Sequence, residues 1–167
     1  EQLAREVSEL HRLQKDVQAG VDARLKQVEP SKVSVDGAEF SASPEEQREY
    51  DAAMELLRKS DFAGAASAYS AFLRRFPGSG YIPSALYWQG NALYATRAYK
   101  ESIDSHRRLV SQYPTHMRTP EAMLAMANSQ VELKDSKSAQ RTLETLVRTY
   151  PQSEAAAAGR ERLSRLR

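Results

Sequence analysis

Apolar residues recur at steps of three and four from residue 44 onwards, which is the pattern of amphipathic helices that bury one face. Proline, glycine and short polar stretches interrupt this pattern at regular intervals. The pattern predicts six helices followed by a C-terminal one, at roughly 44–59, 62–76, 82–96, 99–112, 119–133, 136–149 and 153–166. An all-α chain is therefore expected over most of its length.

A repeat organises the six helices. The dipeptides Phe76-Pro77, Tyr113-Pro114 and Tyr150-Pro151 close successive units, and their prolines are 37 residues apart. Asp61 and Asp135 mark the turn inside the first and third units as expected helix N-caps. Small residues stand at two sites of each unit, one per helix, where two antiparallel backbones would cross closely: Ala53 and Ala65, Gly90 and Ser102, Ala127 and Ala139.

This pattern resembles the tetratricopeptide repeat (TPR), in which a small residue, an alanine and a proline recur at fixed positions. Gly90 and Pro114 fit the family pattern, and Ser102 replaces the usual alanine. The usual period is about 34 residues, and the extra residues here follow each proline. The resemblance implies three helical hairpins, at about 46–77, 83–114 and 120–151, stacked in a right-handed α-solenoid from residue 44 to 167, with the helix at 153–166 as its cap.

Residues 1–28 follow a heptad, which predicts an N-terminal coiled-coil helix that oligomerises. The alternative is a single helix that packs on its own repeat domain. Gln14 and Arg24 interrupt the apolar seam and Gly20 weakens the helix, and the heptad does not decide between a dimer and a trimer. The predicted oligomerisation residues are Leu3, Val7, Leu10, Gln14, Val17, Val21 and Val28.

The segment 29–43 contains Pro, Gly and Ser and shows no helical period, so it is predicted to be a flexible linker. Val33, Val35 and Phe40 are its only candidates for local docking. Ser43 is the expected N-cap of the first repeat helix, with Pro44 at its first position.

Composition narrows the functional classes. The net charge of +2 gives no reason to expect binding to nucleic acid or direct insertion into a membrane. No apolar run approaches the roughly 20 residues that span a bilayer. Cysteine is absent, which excludes disulfides, thiolate metal sites and a lipid-modified cysteine within these 167 residues. Because the chain begins at Glu1 rather than Met, we expect a processed or excised product whose targeting segment has been lost, and we expect a signal peptide in its precursor.

No catalytic arrangement is recognisable, so the chain is predicted not to be an enzyme and to use no metal or cofactor. His11, His106 and His116 lie on different elements. His106 occupies a position held by Tyr69 and Leu143 in the other units, which indicates a packed core residue. Motifs for zinc hydrolysis, phosphate binding or a nucleophilic serine are missing from the sequence.

A binding surface remains. In stacked TPR units the first helices line a concave groove, which is suited to an extended peptide. Asn91 and Asn128 hold the same position in adjacent units, and each amide can both donate and accept a hydrogen bond. Whether Tyr50 and Tyr94 face the groove or pack between helices stays open. The predicted groove residues are Tyr50, Met54, Arg58, Tyr87, Trp88, Asn91, Tyr94 and Asn128.

The order of coil, linker, three units and cap, with phrases such as F-P-G-S-x-Y from Phe76 and A-L-Y-W-x-G from Ala85, is similar to the periplasmic TolA-binding protein family, also called cell division coordinator CpoB or YbgF. The resemblance implies a periplasmic homotrimer that binds TolA of the Tol-Pal system. It also implies that the protein coordinates peptidoglycan synthesis, by a bifunctional penicillin-binding protein with a lipoprotein activator, with outer-membrane constriction during cell division. The alternative function is a TPR chaperone or assembly factor for envelope or secreted proteins.

Overall fold

The computed structural model describes residues 2–166 and consists mostly of helix. From residue 44 onwards every predicted helix is present, and each boundary agrees with the prediction to within one residue. The elements in the described residues are α1 (Gln2–Lys26), β1 (Ser31–Val35), β2 (Ala38–Ala42), α2 (Pro44–Arg58), α3 (Phe62–Arg75), α4 (Ile82–Ala95), α5 (Tyr99–Gln112), α6 (Thr119–Glu132), α7 (Ser136–Thr149) and α8 (Glu154–Arg165).

The helices from α2 to α8 pack in sequence, each against the next. Small residues lie at the crossings, as predicted. Ala53 of α2 and Ala65 of α3 are fully buried. In the next pair, the Ser102 hydroxyl of α5 donates to the carbonyl of Gly90 in α4 at 2.8 Å. A side chain at Gly90 would collide with the His106 ring, since its Cβ would lie 2.5 Å from Nε2. Glycine and serine therefore permit the close approach of α4 and α5.

The turns within the helix pairs share one conformation. Ser60, Arg97 and Lys134 stand at the same place in successive pairs, and each adopts a positive φ of 61° to 64°. Such a residue ends a helix by entering the left-handed region. The predicted caps are confirmed: Asp61 accepts a hydrogen bond from the Gly64 amide, and Asp135 accepts one from the next helix in the same way. The repeat is thus visible in backbone conformation as well as in sequence.

The prediction of a flexible linker at 29–43 is wrong, because most of this segment forms an antiparallel β-hairpin. Its strands β1 and β2 pair with Val33 opposite Phe40. Asp36 and Gly37 form the two-residue turn with φ of 48° and 74°. Positive φ at both turn residues matches the right-handed twist of a hairpin. The alternation of apolar and polar residues on both sides of Asp-Gly then places one face of the hairpin against the helices.

The inner face of the hairpin packs on the helical core. Val33, Val35 and Phe40 contact the buried cluster around α2, α3 and α4. The Phe40 ring meets Tyr81 edge to face, with ring centroids 4.8 Å apart. Gly80 lies directly under Phe40, where an added Cβ atom would collide with the ring. The hairpin is therefore a packed part of the helical domain.

Helix α1 covers the predicted heptad but ends at Lys26, so Val28 lies in the turn that follows. No residue of α1 is buried. Its apolar side chains are all exposed, including those predicted to oligomerise and the additional Leu13 and Leu25. Burial of such an exposed apolar stripe against another helix would remove it from water, and the oligomerisation of α1 stays a prediction.

Candidate partner-binding surface

Three of the predicted groove residues line one cleft between α4 and α6. Asn91 and Tyr94 come from α4, and Asn128 comes from α6 together with Ala125. The cleft has a volume of about 170 Å³. The side chains are half-buried, which leaves their polar atoms partly open to solvent. The equivalent positions of Asn91 and Asn128 thus become physical neighbours, as the repeat register predicts.

Tyr94 is shaped by two neighbours. Its ring meets Tyr99 at 5.3 Å between centroids, and its hydroxyl donates to the Glu132 carboxylate at 3.5 Å. Burial and the charge of Glu132 raise the pKa of Tyr94 above its ordinary value. The hydroxyl therefore stays protonated at neutral pH and can donate.

Tyr50 does not belong to an exposed surface. It is only 5% exposed and stacks on Tyr81 with ring centroids 4.2 Å apart. Burial, with a contribution from the charge of Asp36, raises the pKa of Tyr50 above its ordinary value. Of the two possibilities left open, Tyr50 therefore packs in the core, and its prediction as a groove residue is wrong because Tyr81 of the α3–α4 loop stacks on it.

Met54 and Arg58 lie on α2 and do not line the α4–α6 cleft. Met54 is half-buried, and its sulfur lies 4.0 Å from the Tyr69 hydroxyl. Arg58 is exposed and pairs with Glu55 at 3.4 Å. The structure therefore does not bring these two residues together with the asparagines.

Tyr87 and Trp88 are half-buried and lie beneath one arginine. Their rings meet edge to face at 4.9 Å. The guanidinium of Arg118 lies 5.1 Å from the Tyr87 centroid and 5.4 Å from that of Trp88. Both distances are within the range of cation–π attraction. The two aromatic residues predicted as anchors are thus partly covered by the chain itself.

Arg118 also binds the hairpin. It contacts the Asp36 carboxylate at 2.9 Å and pairs with Glu121 at 2.9 Å. The other oxygen of Asp36 accepts a hydrogen bond from Ser84 at 2.5 Å. Burial alone would lower the pKa of Arg118, but the bonds to Glu121 and Asp36 outweigh it and raise the pKa. Asp36 is therefore a mostly buried carboxylate with a charged and a neutral donor.

The hairpin and its arginine reach the start of the first helix in each pair. Gln47 of α2 donates to Ser31 of the hairpin at 2.9 Å, Ser84 of α4 donates to Asp36, and Glu121 of α6 binds Arg118. These three helix residues are 37 apart and hold one repeat position. The hairpin is thus connected to the three pairs along this row, directly at Gln47 and Ser84 and through Arg118 at Glu121.

A second cavity lies beside the first, between α6 and α8, with a volume of about 380 Å³. Asn128 belongs to both, and its side-chain oxygen accepts a hydrogen bond from Arg162 of α8. Arg165 pairs with Glu161 at 2.5 Å on the rim. The lining combines apolar and charged side chains: Ala127, Asn128, Val131, Leu143, Ala158, Glu161, Arg162, Arg165 and Leu166. Sequence reasoning treated α8 only as a cap and did not predict this cavity.

Three further findings concern residues 2–166. No group of three or more His, Asp or Glu side chains there is arranged to hold a metal ion. None of the described helices combines the length and the apolar character that crossing a bilayer requires. His106 is fully buried, and neither of its ring nitrogens has a hydrogen-bond partner.

Stacked helix pairs with small residues at the crossings and a cleft between successive first helices define a TPR-like helical scaffold for protein–protein interaction. Residues 43–167 match the family model described as "YfiO: Outer membrane lipoprotein". This match covers most of the chain, and the chain belongs to that family.

Two curated relatives are similar to parts of the chain. The cell division coordinator CpoB of Pseudomonas putida is 49% identical over 41 residues, which are 25% of this chain and 15% of that protein. The outer membrane protein assembly factor BamD of Xylella fastidiosa is 23% identical over 136 residues, covering 71% of this chain and 47% of the relative. The chain therefore spans less than half the length of either relative.

Solved structures show the fold. PcrH from Pseudomonas aeruginosa superposes with a TM-score of 0.64 at 12% identity, covering 75% of this chain and 93% of PcrH. The TPR2B domain of yeast Sti1, solved as a complex with an Hsp70 peptide, has a TM-score of 0.60 at 21% identity and covers 74% of this chain and 94% of that domain. At such identities the likeness concerns the fold alone.

Proposed function

We propose that this protein is a non-enzymatic periplasmic adaptor that binds TolA of the Tol-Pal system and coordinates peptidoglycan synthesis with outer-membrane constriction during cell division. The α4–α6 cleft is the observation that carries the binding role, because it brings two equivalent asparagines together on the scaffold. The stretch that is 49% identical to cell division coordinator CpoB supports the choice of pathway.

Binding in the cleft would use the amides of Asn91 and Asn128. An extended partner segment offers backbone N–H and C=O groups that two side-chain amides can bind in register. Tyr94 adds a flat side chain whose hydroxyl is held by Glu132. A polar site of this kind fixes the path of the partner backbone.

Helix α1 would supply the second part of the mechanism. Burial of its exposed apolar stripe between copies would form a homotrimer through Leu3, Val7, Leu10, Gln14, Val17 and Val21. Joining weak sites in one particle raises their apparent affinity without any new contact. A bifunctional penicillin-binding protein and its lipoprotein activator would be further partners of such an oligomer.

The test combines binding and mass. Replacing Asn91 and Asn128 by alanine together should weaken TolA binding about thirtyfold, since two lost hydrogen bonds contribute about 1 kcal/mol each and about 1.4 kcal/mol is a factor of ten. The helical circular dichroism spectrum should stay unchanged. The matched control is Gln152→Ala, which removes a side-chain amide from the exposed loop after α7 and should leave the affinity unchanged. Full affinity in the double variant would exclude this cleft as the site.

Light scattering tests the role of α1. The full chain should have the mass of a trimer, and a chain that lacks residues 1–28 should be a folded monomer. An oligomer that persists without α1 would show that the helical domain itself associates, which would contradict the assignment of α1.

A second candidate function is an assembly factor for outer-membrane proteins. The YfiO family match over residues 43–167 and the similarity to BamD over 71% of the chain favour it. Capture experiments with the purified chain distinguish the two. Recovery of TolA supports the adaptor, whereas recovery of unfolded outer-membrane proteins or their assembly machinery supports the second candidate.

A further inference from the structure

The cavity between α6 and α8 adds a feature that the repeat units do not have. Asn128 lines both this cavity and the α4–α6 cleft, so the two adjoin at that side chain. We propose that this site binds an extended partner segment in which an aliphatic side chain enters the α6–α8 cavity and a neighbouring Asp or Glu side chain binds Arg162. This inference rests on the proposed function, because it specifies the peptide that the α4–α6 cleft would bind.

The interior of the α6–α8 cavity selects an aliphatic group. Val131, Leu143 and Leu166 form its apolar wall, with alanines between them. Leu143 is fully buried, so the wall is continuous with the core of the last helix pair. An aliphatic side chain placed there removes apolar surface of both partners from water.

The rim of the cavity on α8 selects a carboxylate. Among residues 2–166, Arg162 forms no ion pair and uses one N–H group to bind Asn128. A guanidinium has five N–H donors, so it can bind a carboxylate while keeping that bond. Arg165 is three residues further along the helix, and within the described part of the chain it pairs only with the exposed Glu161. Such an exposed pair contributes little stability and can be exchanged.

The site carries negative charge beside Tyr94. Glu132 accepts a hydrogen bond from Tyr94, and its charge raises the pKa of Tyr94 while that of Arg162 lowers it. An acidic side chain of the partner is therefore repelled from the Glu132 side and attracted to α8. The charges thus set the orientation of the segment as well as its composition.

The acidic residue is internal to the segment rather than its carboxyl terminus. Arg162 binds Asn128, and Asn128 lines both cavities, so Arg162 lies where the two meet. A residue bound at that point has one cavity on each side of it. The partner chain continues in both directions, towards Asn91 and towards Leu166.

The experiment selects peptides without assuming a sequence. A library of random peptides, inserted in a loop of a carrier protein so that no peptide has a free end, is selected on the full chain. Enriched peptides should carry Asp or Glu beside Leu, Ile or Val. Synthetic versions with capped ends should bind Arg162→Gln at least about tenfold more weakly, as expected for loss of a charge-assisted hydrogen bond.

Arg148→Gln is the matched control, since Arg148 is an exposed arginine of α7 outside both cavities. Its affinity should change less than about twofold, in line with a surface charge. Asn91→Ala should weaken the same peptides, because Asn91 lies in the adjoining cleft.

Three outcomes would overturn the inference. This inference fails if the enriched peptides lack the acidic and aliphatic pair, or if Arg162→Gln and Arg148→Gln change the affinity equally. In that case the proposed function survives if Asn91→Ala still weakens binding. If only a second library with free carboxyl termini gives binders, the site binds a chain end and the internal position is wrong. If neither library gives an enriched peptide, or Asn91→Ala has no effect on the peptides that are enriched, both proposals fail.

Discussion

His106 should make the stability of the domain depend on pH in a way that one substitution abolishes. The ring is fully buried in α5 against Gly90, and neither nitrogen has a hydrogen-bond partner. Burial lowers the pKa of His106 from 6.5 to about 4. The nearby Tyr87 backbone favours the protonated ring and opposes this shift to a smaller extent. The folded protein therefore holds this imidazole neutral at a pH where the unfolded chain already binds a proton.

The sign and size of the pH effect on stability follow from this difference in the pKa of His106 between the folded and unfolded states. Below a pH near 6.5 the unfolded state takes up a proton that the folded state refuses, so the free energy of unfolding decreases as the pH falls towards 4 and levels off below it. One pKa unit corresponds to about 1.4 kcal/mol, so the full loss is on the order of 3 kcal/mol. Above a pH of about 7.5 His106 should have no effect on the pH dependence.

The variant His106→Leu isolates this contribution, because leucine already holds the equivalent position, Leu143, in the third pair. At neutral pH the variant should be at least as stable as the wild type, since two unpaired buried nitrogens are removed. Urea unfolding followed by circular dichroism, at pH values between about 7.5 and about 4.5, gives the free energy for both proteins. Titration of carboxylates and of His116 is common to both and cancels in the difference.

Parallel stability curves for the two proteins would refute the reasoning. So would a direct titration of the His106 ring by NMR that gives a pKa near its ordinary value. Either result would mean that the ring reaches water or a partner in solution, and that the close contact with Gly90 is not maintained.

Three further substitutions test the packing. Gln130→Leu should raise the free energy of unfolding by about 1 kcal/mol, because it removes a buried side-chain oxygen that has no hydrogen-bond partner. Leucine already holds the equivalent position in the other two pairs. A loss of stability would show that the oxygen is hydrogen-bonded. Gly80→Ala should cost about 1–3 kcal/mol in urea unfolding, because its Cβ would collide with Phe40, whereas Gly78→Ala, in open space, should not. Arg118→Ala should lower the free energy of unfolding by about 2 kcal/mol, because it leaves the Asp36 carboxylate buried without its cation. Amide hydrogen exchange in the hairpin should accelerate. Unchanged protection would mean that other contacts stabilise the hairpin.

The sequence predicts the helical part of this fold well, because apolar spacing and cap residues are both local signals. Apolar spacing sets the helices, and residues such as Asp61 and Ser43 set their starts. The capping box between Ser43 and Glu46 depends on residues three positions apart, which a sequence displays directly. Elements decided within one or two helical turns are therefore the ones that the sequence predicts.

The hairpin also had a local signal, which a search for helical periods passes over. Asp36-Gly37 is a preferred dipeptide for a two-residue hairpin turn, and Val33, Val35, Ala38 and Phe40 alternate with polar residues on either side. A strand period tested over this short segment would have predicted the hairpin. What it could not have predicted is the contact of Asp36 with Arg118, which is 82 residues away in sequence.

The failure at Tyr50 has a different cause. A repeat pattern assigns exposure from the repeats alone, and Tyr50 holds the same position as the half-buried Tyr87. Two neighbours decide the difference, since Tyr81 of the α3–α4 loop stacks on Tyr50 and Asp36 of the hairpin lies near it. Equivalent positions in a repeat protein thus share backbone geometry without sharing exposure.

Two elements outside the repeat, the hairpin and α8, limit the candidate surface. On one side the hairpin fixes Arg118, which covers Tyr87 and Trp88. On the other side α8 brings Arg162 onto Asn128. A partner that bound Tyr87 and Trp88 would have to displace the Arg118 guanidinium, which is bound to two carboxylates. A partner that bound Asn128 would meet the Arg162 guanidinium, which has further N–H groups available to donate. The lower cost of the second contact favours the α8 side as the place where a partner adds its own charge.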